Sequence, residues 1–132
     1  MRDHTRINPW LYTAVGVQSA VVEIALHGDV LARFGAALSD PTRCRILLAL
    51  RDAPAYPADL ADLLGVSRQS LSNHLTCLRG CGLVVAIPQG RRMRYELADE
   101  RLRHALTDLL GVVLAVDGRH LHRSASELAG PA

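Results

Sequence analysis

Residues 66–85, VSRQSLSNHLTCLRGCGLVV, carry the strongest structural signal in the chain. At a helical period, Leu71, Leu75 and Leu78 fall on one stripe, which predicts a helix with a single buried face. Ser67 comes just before this periodic run, where its hydroxyl can accept a hydrogen bond from a backbone N–H group of the first turn. A glycine then ends the helix, and the apolar run after it predicts a strand.

The face of this helix opposite the leucines is polar. Its amides and hydroxyls offer the donors and acceptors that suit base edges in the DNA major groove and the phosphates beside them. We therefore predict that this helix reads DNA. The residues expected to contact DNA from it are Ser67, Arg68, Gln69, Ser70, Asn73 and Thr76.

Two short segments after the helix are typical of a β-hairpin, a wing. Residues 83–87 and 93–97 predict the two strands, and residues 88–90 predict the turn. Arginines cluster beside this turn, and a local basic patch indicates nucleic-acid binding better than the net charge of +2 does. A solvated basic loop is the alternative. Arg43, Arg45, Arg68 and Arg79 extend the patch, and the wing residues expected to contact phosphates or a narrow minor groove are Arg91, Arg92 and Arg94.

Two helices are predicted upstream of the reading helix. The segment DPTRCRILLAL, residues 40–50, begins with a capping aspartate and a proline at the first helical position. A short helix is predicted for residues 57–64, and Gly65 permits a tight turn into the reading helix. Helix, turn and helix make a helix-turn-helix unit. Cys44 is expected to pack as a small hydrophobic side chain.

The two ends of the chain predict further helices. Residues 10–26 form the first, followed by a break at His27 and Gly28 and a second stretch over residues 30–38, and residues 99–116 form the last helix. Both ends carry more apolar surface than one small domain covers, which predicts a homodimer. The expected fold is mainly α with a small β-hairpin: a winged helix-turn-helix with an α-helical dimer interface from the first and last helices.

These predictions divide the chain into an N-terminal extension with a dimerisation helix (1–28), the winged helix-turn-helix domain with its C-terminal dimerisation helix (29–117), and a mobile tail (118–132). No uncharged run is long enough to cross a bilayer, so no membrane partner is expected. Three cysteines give no disulfide framework and favour the reducing cytoplasm. Phosphate-binding loops and nucleophile motifs are missing, so we expect neither an enzyme nor a small organic substrate.

Cys77 and Cys81 lie one helical turn apart, between the leucine stripe and the polar face. A thiolate pair at this spacing can bind one soft metal ion, although tight sites need a third or fourth ligand. A thiol redox or persulfide switch is one alternative, because Cα atoms one turn apart, roughly 6 Å, are within the disulfide range. A metal-independent regulator whose cysteines only fill the core is another.

The segments DPTRCRILLAL, ADLADLLGVSRQSLSNHLTCLRGCGLVV and QGRRMRYEL, in this order, resemble the ArsR/SmtB family of winged-helix, metal-sensing repressors. The resemblance covers roughly residues 30–117. It implies a homodimer that represses transcription by binding double-stranded DNA at a palindromic operator, and that is derepressed by a soft divalent metal ion. Two-fold symmetry then separates the two reading helices by about one DNA turn.

The resemblance also implies a set of metal ligands. In the cadmium/lead-sensing branch of the family, a cysteine of the C-terminal tail joins the two cysteines of the reading helix. Counted from the shared VVLAVD run, the matching position here is His122, with His120 two residues before it. The metal site is therefore expected at Cys77, Cys81, His122 and His120. Cadmium, zinc and lead are the candidate effectors, and imidazole shifts the preference towards zinc or cadmium.

Other metal sites of the family are missing from the sequence. The cysteine pair that precedes the reading helix in arsenic sensors is replaced by AYPADLADLL. The regularly spaced aspartate and histidines of the zinc sensors are also missing from the last helix. The resemblance therefore leaves two possibilities: a metal site at the cysteines of the reading helix, or no metal site at all.

Overall fold

Five helices and one β-hairpin make up the part of the chain that the structure, a computed structural model, describes. It describes residues 14–128, with side chains for residues 16–118. The architecture is mainly α with a two-stranded antiparallel sheet, as the sequence predicts. The elements in chain order are α1 (Ala14–Leu38), α2 (Pro41–Asp52), α3 (Pro57–Leu64), α4 (Arg68–Gly80), β1 (Val84–Gln89), β2 (Arg92–Leu97) and α5 (Glu100–Leu128).

The leucine stripe of α4 forms the centre of the core. Leu71, Leu75 and Leu78 are each at most 2% exposed, which confirms the predicted buried face. They belong to one cluster to which all five helices and β1 contribute. The other buried members are Ala37, Ile46, Leu47, Leu50, Leu60, Ala61, Val84 and Leu106. Because this core holds α4 by its apolar side only, the polar side of α4 stays on the surface.

Local signals fix the helix ends as predicted. The Asp40 carboxylate accepts a hydrogen bond of 2.9 Å from the backbone N–H of Arg43, and a proline occupies the first position of α2. The Ser67 hydroxyl accepts one of 3.1 Å from the N–H of Ser70 at the start of α4. Gly65 ends α3 at φ 66°, a left-handed conformation that strains residues with a Cβ atom. The turn at Gly65 and the cap at Ser67 together form the junction between α3 and α4.

The wing is a short hairpin of six residues per strand. Its strands pair from Val84–Leu97 to Gln89–Arg92, which leaves a two-residue turn that contains Gly90 at φ 61°. The predicted turn over residues 88–90 began two residues too early, since residues 88 and 89 belong to β1. A proline is tolerated at position 88 because, among the described residues, β1 pairs on one side only.

The loop between α2 and α3 fastens the wing to the helix-turn-helix. Ala55 and Tyr95 exchange two backbone hydrogen bonds, of 3.0 Å and 2.8 Å, along the side of β2 that does not face β1. This bridge lies near the middle of β2. It fixes the distance between the wing and the helices that precede the reading helix.

The two long helices depart from the prediction. α1 continues without a break through His27 and Gly28, because a single glycine costs a helix only about 1 kcal/mol relative to alanine. α5 ends at Leu128, twelve residues beyond the predicted end at Val116, and is helical through most of the segment predicted as a mobile tail. No proline interrupts it there. The predicted start of the first helix at residue 10 lies outside the described residues.

Both predicted domain boundaries therefore fall inside helices, at residues 28–29 within α1 and at residues 117–118 within α5. The division into extension, domain and tail itself stays a prediction. None of the helices in the described part of the chain is long and apolar enough to cross a membrane.

Two arginines join the long helices to α2. Arg43 donates hydrogen bonds of 2.9 Å and 3.0 Å to the carbonyls of Ala37 and Ala36, near the C-terminal end of α1. Arg103 of α5 donates to the carbonyl of Arg51 near the end of α2. Helix C-termini leave carbonyl groups without partners in their own helix, and these side chains supply donors. The Arg43 guanidinium therefore already has hydrogen-bond partners within the fold, although the sequence analysis grouped Arg43 with the basic patch.

The long helices leave much apolar surface uncovered. Ile24 of α1 is 71% exposed, and Val112 of α5 is 62% exposed. The exposed apolar residues are Val17, Val21, Val22, Ile24, Leu26, Val30 and Leu31 on α1, and Leu109, Val112, Val113, Leu114 and Val116 on α5. Such a surface is typical of an interface rather than of a monomer.

An apolar cleft of about 300 Å³ adjoins this surface, where α1, α2 and α5 meet. Cys44 lines it, half-buried, and its thiol donates to the carbonyl of Leu38 over 3.1 Å. This placement agrees with the prediction that Cys44 packs as a small hydrophobic side chain.

Candidate nucleic-acid interface and thiol pair

The surface of α4 carries the polar row that the sequence predicts. The Gln69 amide donates a hydrogen bond of 3.0 Å to the Asn73 side-chain oxygen one turn later, and both residues are exposed. Thr76 continues the row and donates to the carbonyl of Ser72 over 2.9 Å. Ser67 and Arg68 are exposed at the N-terminal end of α4, and Ser70 is half-buried. The amides therefore form an aligned row along the outer face of the helix.

Several arginines of the helix-turn-helix and the wing are exposed. Arg68 stands in the first turn of α4, Arg79 in its last turn, and Arg45 on α2. Arg91 occupies the turn of the wing, exposed, with no side-chain partner among the described residues. This arrangement leaves four guanidinium groups available for phosphates.

The three arginines predicted on the wing have different surroundings. The Arg92 side chain is 57% exposed, and its guanidinium carbon lies 3.6 Å from the centre of the Tyr56 ring. Arg94 is partly buried and lies 3.6 Å from a carboxylate oxygen of Glu96. The sequence analysis missed Tyr56, because no local pattern links a residue before α3 to a wing residue 36 positions later.

Cys77 and Cys81 lie where the reading helix ends and the wing begins. The backbone N–H of Cys81 donates to the carbonyl of Cys77 over 3.1 Å, so the last turn of α4 spans the two thiols. Gly82, at φ 75°, then turns the chain into β1. Both cysteines are free thiols. A ligand on this pair would act on the junction between reading helix and wing.

The two thiols are not equivalent. Cys81 is half-buried and packs against the hydrophobic core, as a cysteine in a purely packing role would. Cys77 is exposed, so core packing does not account for it. The pair therefore combines an accessible thiol with one that the fold holds in place.

No third metal ligand accompanies the pair within the described side chains. Among those residues, no group of three or more His, Cys, Asp and Glu side chains could hold a metal ion. His120 and His122, the predicted partners, belong to the C-terminal part of α5, whose side chains lie outside those described. The donors that are described, two thiols one turn apart, suit a soft ion but do not complete a tight site.

His74 lies on α4 one turn before Cys77 but faces the cap of α2. Its Nδ1 atom is 3.7 Å from an Asp40 carboxylate oxygen. The hydrogen bond from the Arg43 backbone, and to a smaller degree the charge of His74, hold the pKa of Asp40 below its usual value. Asp40 thus connects the start of α2 with the middle of the reading helix.

A helix-turn-helix with an exposed amide row, followed by a hairpin that carries arginines, defines a winged-helix DNA-binding protein. Residues 40–85 match the family described as bacterial regulatory protein, arsR family. The HTH-type transcriptional regulator CmtR of Mycobacterium tuberculosis is 63% identical over 92 residues, which cover 70% of this chain and 78% of CmtR. The chain therefore belongs to the arsR family and is a transcriptional repressor of the ArsR/SmtB type.

Further relatives and solved structures agree. The probable mercury resistance operon repressor of Streptomyces lividans is 36% identical over 91 residues, 69% of this chain and 71% of that protein. The NMR structure of the cadmium metal-sensor CmtR from M. tuberculosis matches with a TM-score of 0.55 and 61% identity, over 62% of this chain and 85% of that one. These relatives are regulators, which confirms the expectation that the chain is not an enzyme.

A homodimeric winged helix-turn-helix domain of Mycobacterium bovis, described as a possible ArsR-family regulator, matches with a TM-score of 0.63 and 29% identity. It covers 75% of this chain and 88% of the other. The winged helix-turn-helix fold predicted from the sequence is thus confirmed.

Proposed function

We propose that this protein is a homodimeric repressor that binds a palindromic operator and releases it when a soft divalent metal ion binds Cys77 and Cys81. One observation carries the proposal: an exposed thiol stands one turn from a second, fold-held thiol at the end of the reading helix. The 63% identity to CmtR, whose solved structure is described as that of a cadmium metal-sensor, supports a metal effector.

The DNA-contacting surface comprises the outer face of α4 and the wing. The amides of Gln69 and Asn73 suit base edges, because paired donors and acceptors read the major groove. Arginines at the edge of this surface suit phosphates, which position the protein without reading sequence. The proposed contacts on and before α4 are Ser67, Arg68, Gln69, Ser70, Asn73 and Thr76. The candidate contacts on the wing are Arg91, Arg92 and Arg94, of which only Arg91 has no side-chain partner among the described residues.

The dimer forms through α1 and α5. Their exposed apolar residues need a cover, and a second copy supplies an identical surface related by two-fold symmetry. The symmetry brings two α4 helices onto one side of the DNA, about 34 Å apart, which accounts for a palindromic operator. The reducing cytoplasm keeps the three cysteines as free thiols.

Thiolates prefer soft ions, so cadmium, zinc and lead are the candidate effectors. His122 is the proposed third ligand, with His120 as its neighbour, and both would have to approach the end of α4. Metal binding would then join the C-terminal part of α5 to the reading helix and favour a shape different from the DNA-bound one. If the metal ion binds one shape more tightly than the other by a few kcal/mol, this difference in binding free energy suffices to release the operator.

The test is operator release by metal in reduced protein, measured by fluorescence anisotropy with a duplex selected from a random library. Cadmium chloride, zinc chloride and lead acetate are the probes. We expect release of wild type by at least one of them, at near-stoichiometric metal, and no release of Cys77→Ser or Cys81→Ser. Cys44→Ser is the matched control and should respond as wild type does. Release of Cys77→Ser at the wild-type metal concentration would contradict the proposal.

A further inference from the structure

Tyr56 contacts both residues that close the tip of the wing. Its hydroxyl donates a hydrogen bond of 2.5 Å to the side-chain oxygen of Gln89. Its ring lies under the guanidinium of Arg92, 3.6 Å from ring centre to guanidinium carbon. Gln89 and Arg92 are the last paired residues before the turn, so one side chain holds both strands at that point.

These contacts add to the backbone bridge next to Tyr56. Ala55 pairs with Tyr95 in β2, so adjacent residues of the loop before α3 fasten the hairpin at two places. Arg92 also lies 3.7 Å from an Asp59 carboxylate oxygen on α3. A two-stranded hairpin is marginally stable on its own, and these contacts tie it to the helix-turn-helix.

Arg91 and Arg92 are neighbours but differ in what they can offer DNA. The Arg92 guanidinium has one face against an aromatic ring and lies 3.7 Å from a carboxylate oxygen, so it already has two partners within the fold, one of which partly compensates its charge. Arg91 is exposed and has no partner among the described residues, so it can bind a phosphate without losing any contact.

We infer that Tyr56 and Arg92 act together as a clamp that positions the wing, and that of the two tip arginines Arg91 makes the phosphate contact. This inference rests on the proposed DNA-binding function of the wing. It separates two residues that the sequence assigned to the same role. Arg92 becomes a positioning residue whose contribution to affinity depends on Tyr56.

The first measurement is the salt dependence of operator affinity. Each phosphate contact contributes about 0.9 to the slope of log K against log salt, so losing one contact per subunit lowers a dimer's slope by about 1.8. Arg91→Ala should show this decrease. Arg92→Ala and Tyr56→Leu should each weaken binding by about fivefold. Their salt slopes should decrease by less than a third of the decrease expected for Arg91→Ala. The double variant should bind no more weakly than either single variant, while Tyr56→Phe, which keeps the ring, should bind within about twofold of wild type.

The second measurement needs no DNA. Hydrogen exchange by mass spectrometry should show faster exchange of the peptide that contains residues 89–92 in Arg92→Ala and Tyr56→Leu, and unchanged exchange in Arg91→Ala. Thermal unfolding of each variant verifies that the rest of the fold is kept. An Arg92→Ala slope as low as that of Arg91→Ala, with unchanged exchange, would overturn the clamp and make Arg92 a phosphate contact.

The two proposals fail separately. If wild-type protein showed no salt-dependent binding to duplex DNA, the proposed function would fall, and the exchange measurement would still decide whether the clamp exists. If wild type bound the operator and the effects of Tyr56→Leu and Arg92→Ala were additive, the clamp alone would be refuted.

Discussion

The helix-turn-helix and the two long helices bury their apolar residues in different ways. Leu78 of α4 is completely buried inside one subunit, whereas Ile24 of α1 is 71% exposed. The helix-turn-helix therefore completes its core within a single chain, while α1 and α5 leave most of their apolar surface uncovered. The difference supports the proposal that DNA binding and dimerisation use separate parts of the fold, which Arg43 and Arg103 connect through α2.

The largest expected effect comes from the core of the helix-turn-helix. Leu78→Ala should lower the free energy of unfolding by about 2–5 kcal/mol, because it leaves a cavity in a packed site. Urea denaturation followed by circular dichroism measures this change. Leu63→Ala is the matched control: Leu63 is 72% exposed on α3, and its truncation should change the free energy by less than about 0.5 kcal/mol. Equal losses in the two variants would break the proposed distinction between internal core and exposed surface.

The second effect concerns the long helices. Leu114→Asp on α5 should raise the dimer dissociation constant by about a hundredfold or more, because the dimer would bury an unpaired charge from each subunit. Sedimentation velocity over a range of protein concentrations measures it. Leu63→Asp introduces the same charge on an exposed leucine outside α1 and α5 and should leave the dimer intact. A Leu114→Asp protein that stayed dimeric at wild-type concentrations would show that α5 is not the interface.

The smallest expected effect is the pH dependence of stability that arises from two capping aspartates, Asp40 in the helix-turn-helix and Asp99 before α5. A side-chain hydrogen bond from Arg101, with a backbone hydrogen bond from the same residue, lowers the pKa of Asp99 to about 2. A carboxylate whose pKa is lower in the folded state stabilises the fold above its unfolded pKa of 3.8, and this contribution is lost as the pH falls from 3.8 to about 2. Asp40, with its lowered pKa, contributes in the same direction.

Urea denaturation between pH 2 and pH 6 tests this expectation. Asp99→Asn keeps an acceptor oxygen but does not titrate in this range, so its stability should depend less steeply on pH than that of wild type. Asp40→Asn should also flatten the profile. A variant profile parallel to that of wild type would show that the substituted aspartate is not linked to acid unfolding.

The same two regions explain where prediction from the sequence succeeded. The helix-turn-helix is specified by local signals, such as the caps at Asp40 and Ser67 and the left-handed turn at Gly65, and each matched the structure. The long helices lack such local signals at the position where the prediction failed. The sequence predicted a break at His27 and Gly28, but α1 continues through both residues because one glycine costs a helix little.

The candidate site divides in the same way. The polar row of α4 and the positions of both thiols followed from helical periodicity. The stacking of Arg92 on Tyr56 and the capping role of Arg43 did not, because each depends on residues brought together by the tertiary fold. Periodicity assigns a residue to a face, but it does not predict which partner meets the residue there.

A cadmium titration of the reduced protein, followed by thiolate-to-metal charge-transfer absorbance, tests the proposed metal site most directly. We predict a tight band that saturates at one cadmium per subunit, is lost in Cys77→Ser and in Cys81→Ser, is weakened in His122→Ala, and is kept in Cys44→Ser. A band that persists in both reading-helix variants, or no band at stoichiometric cadmium, would contradict a metal site at the end of the reading helix.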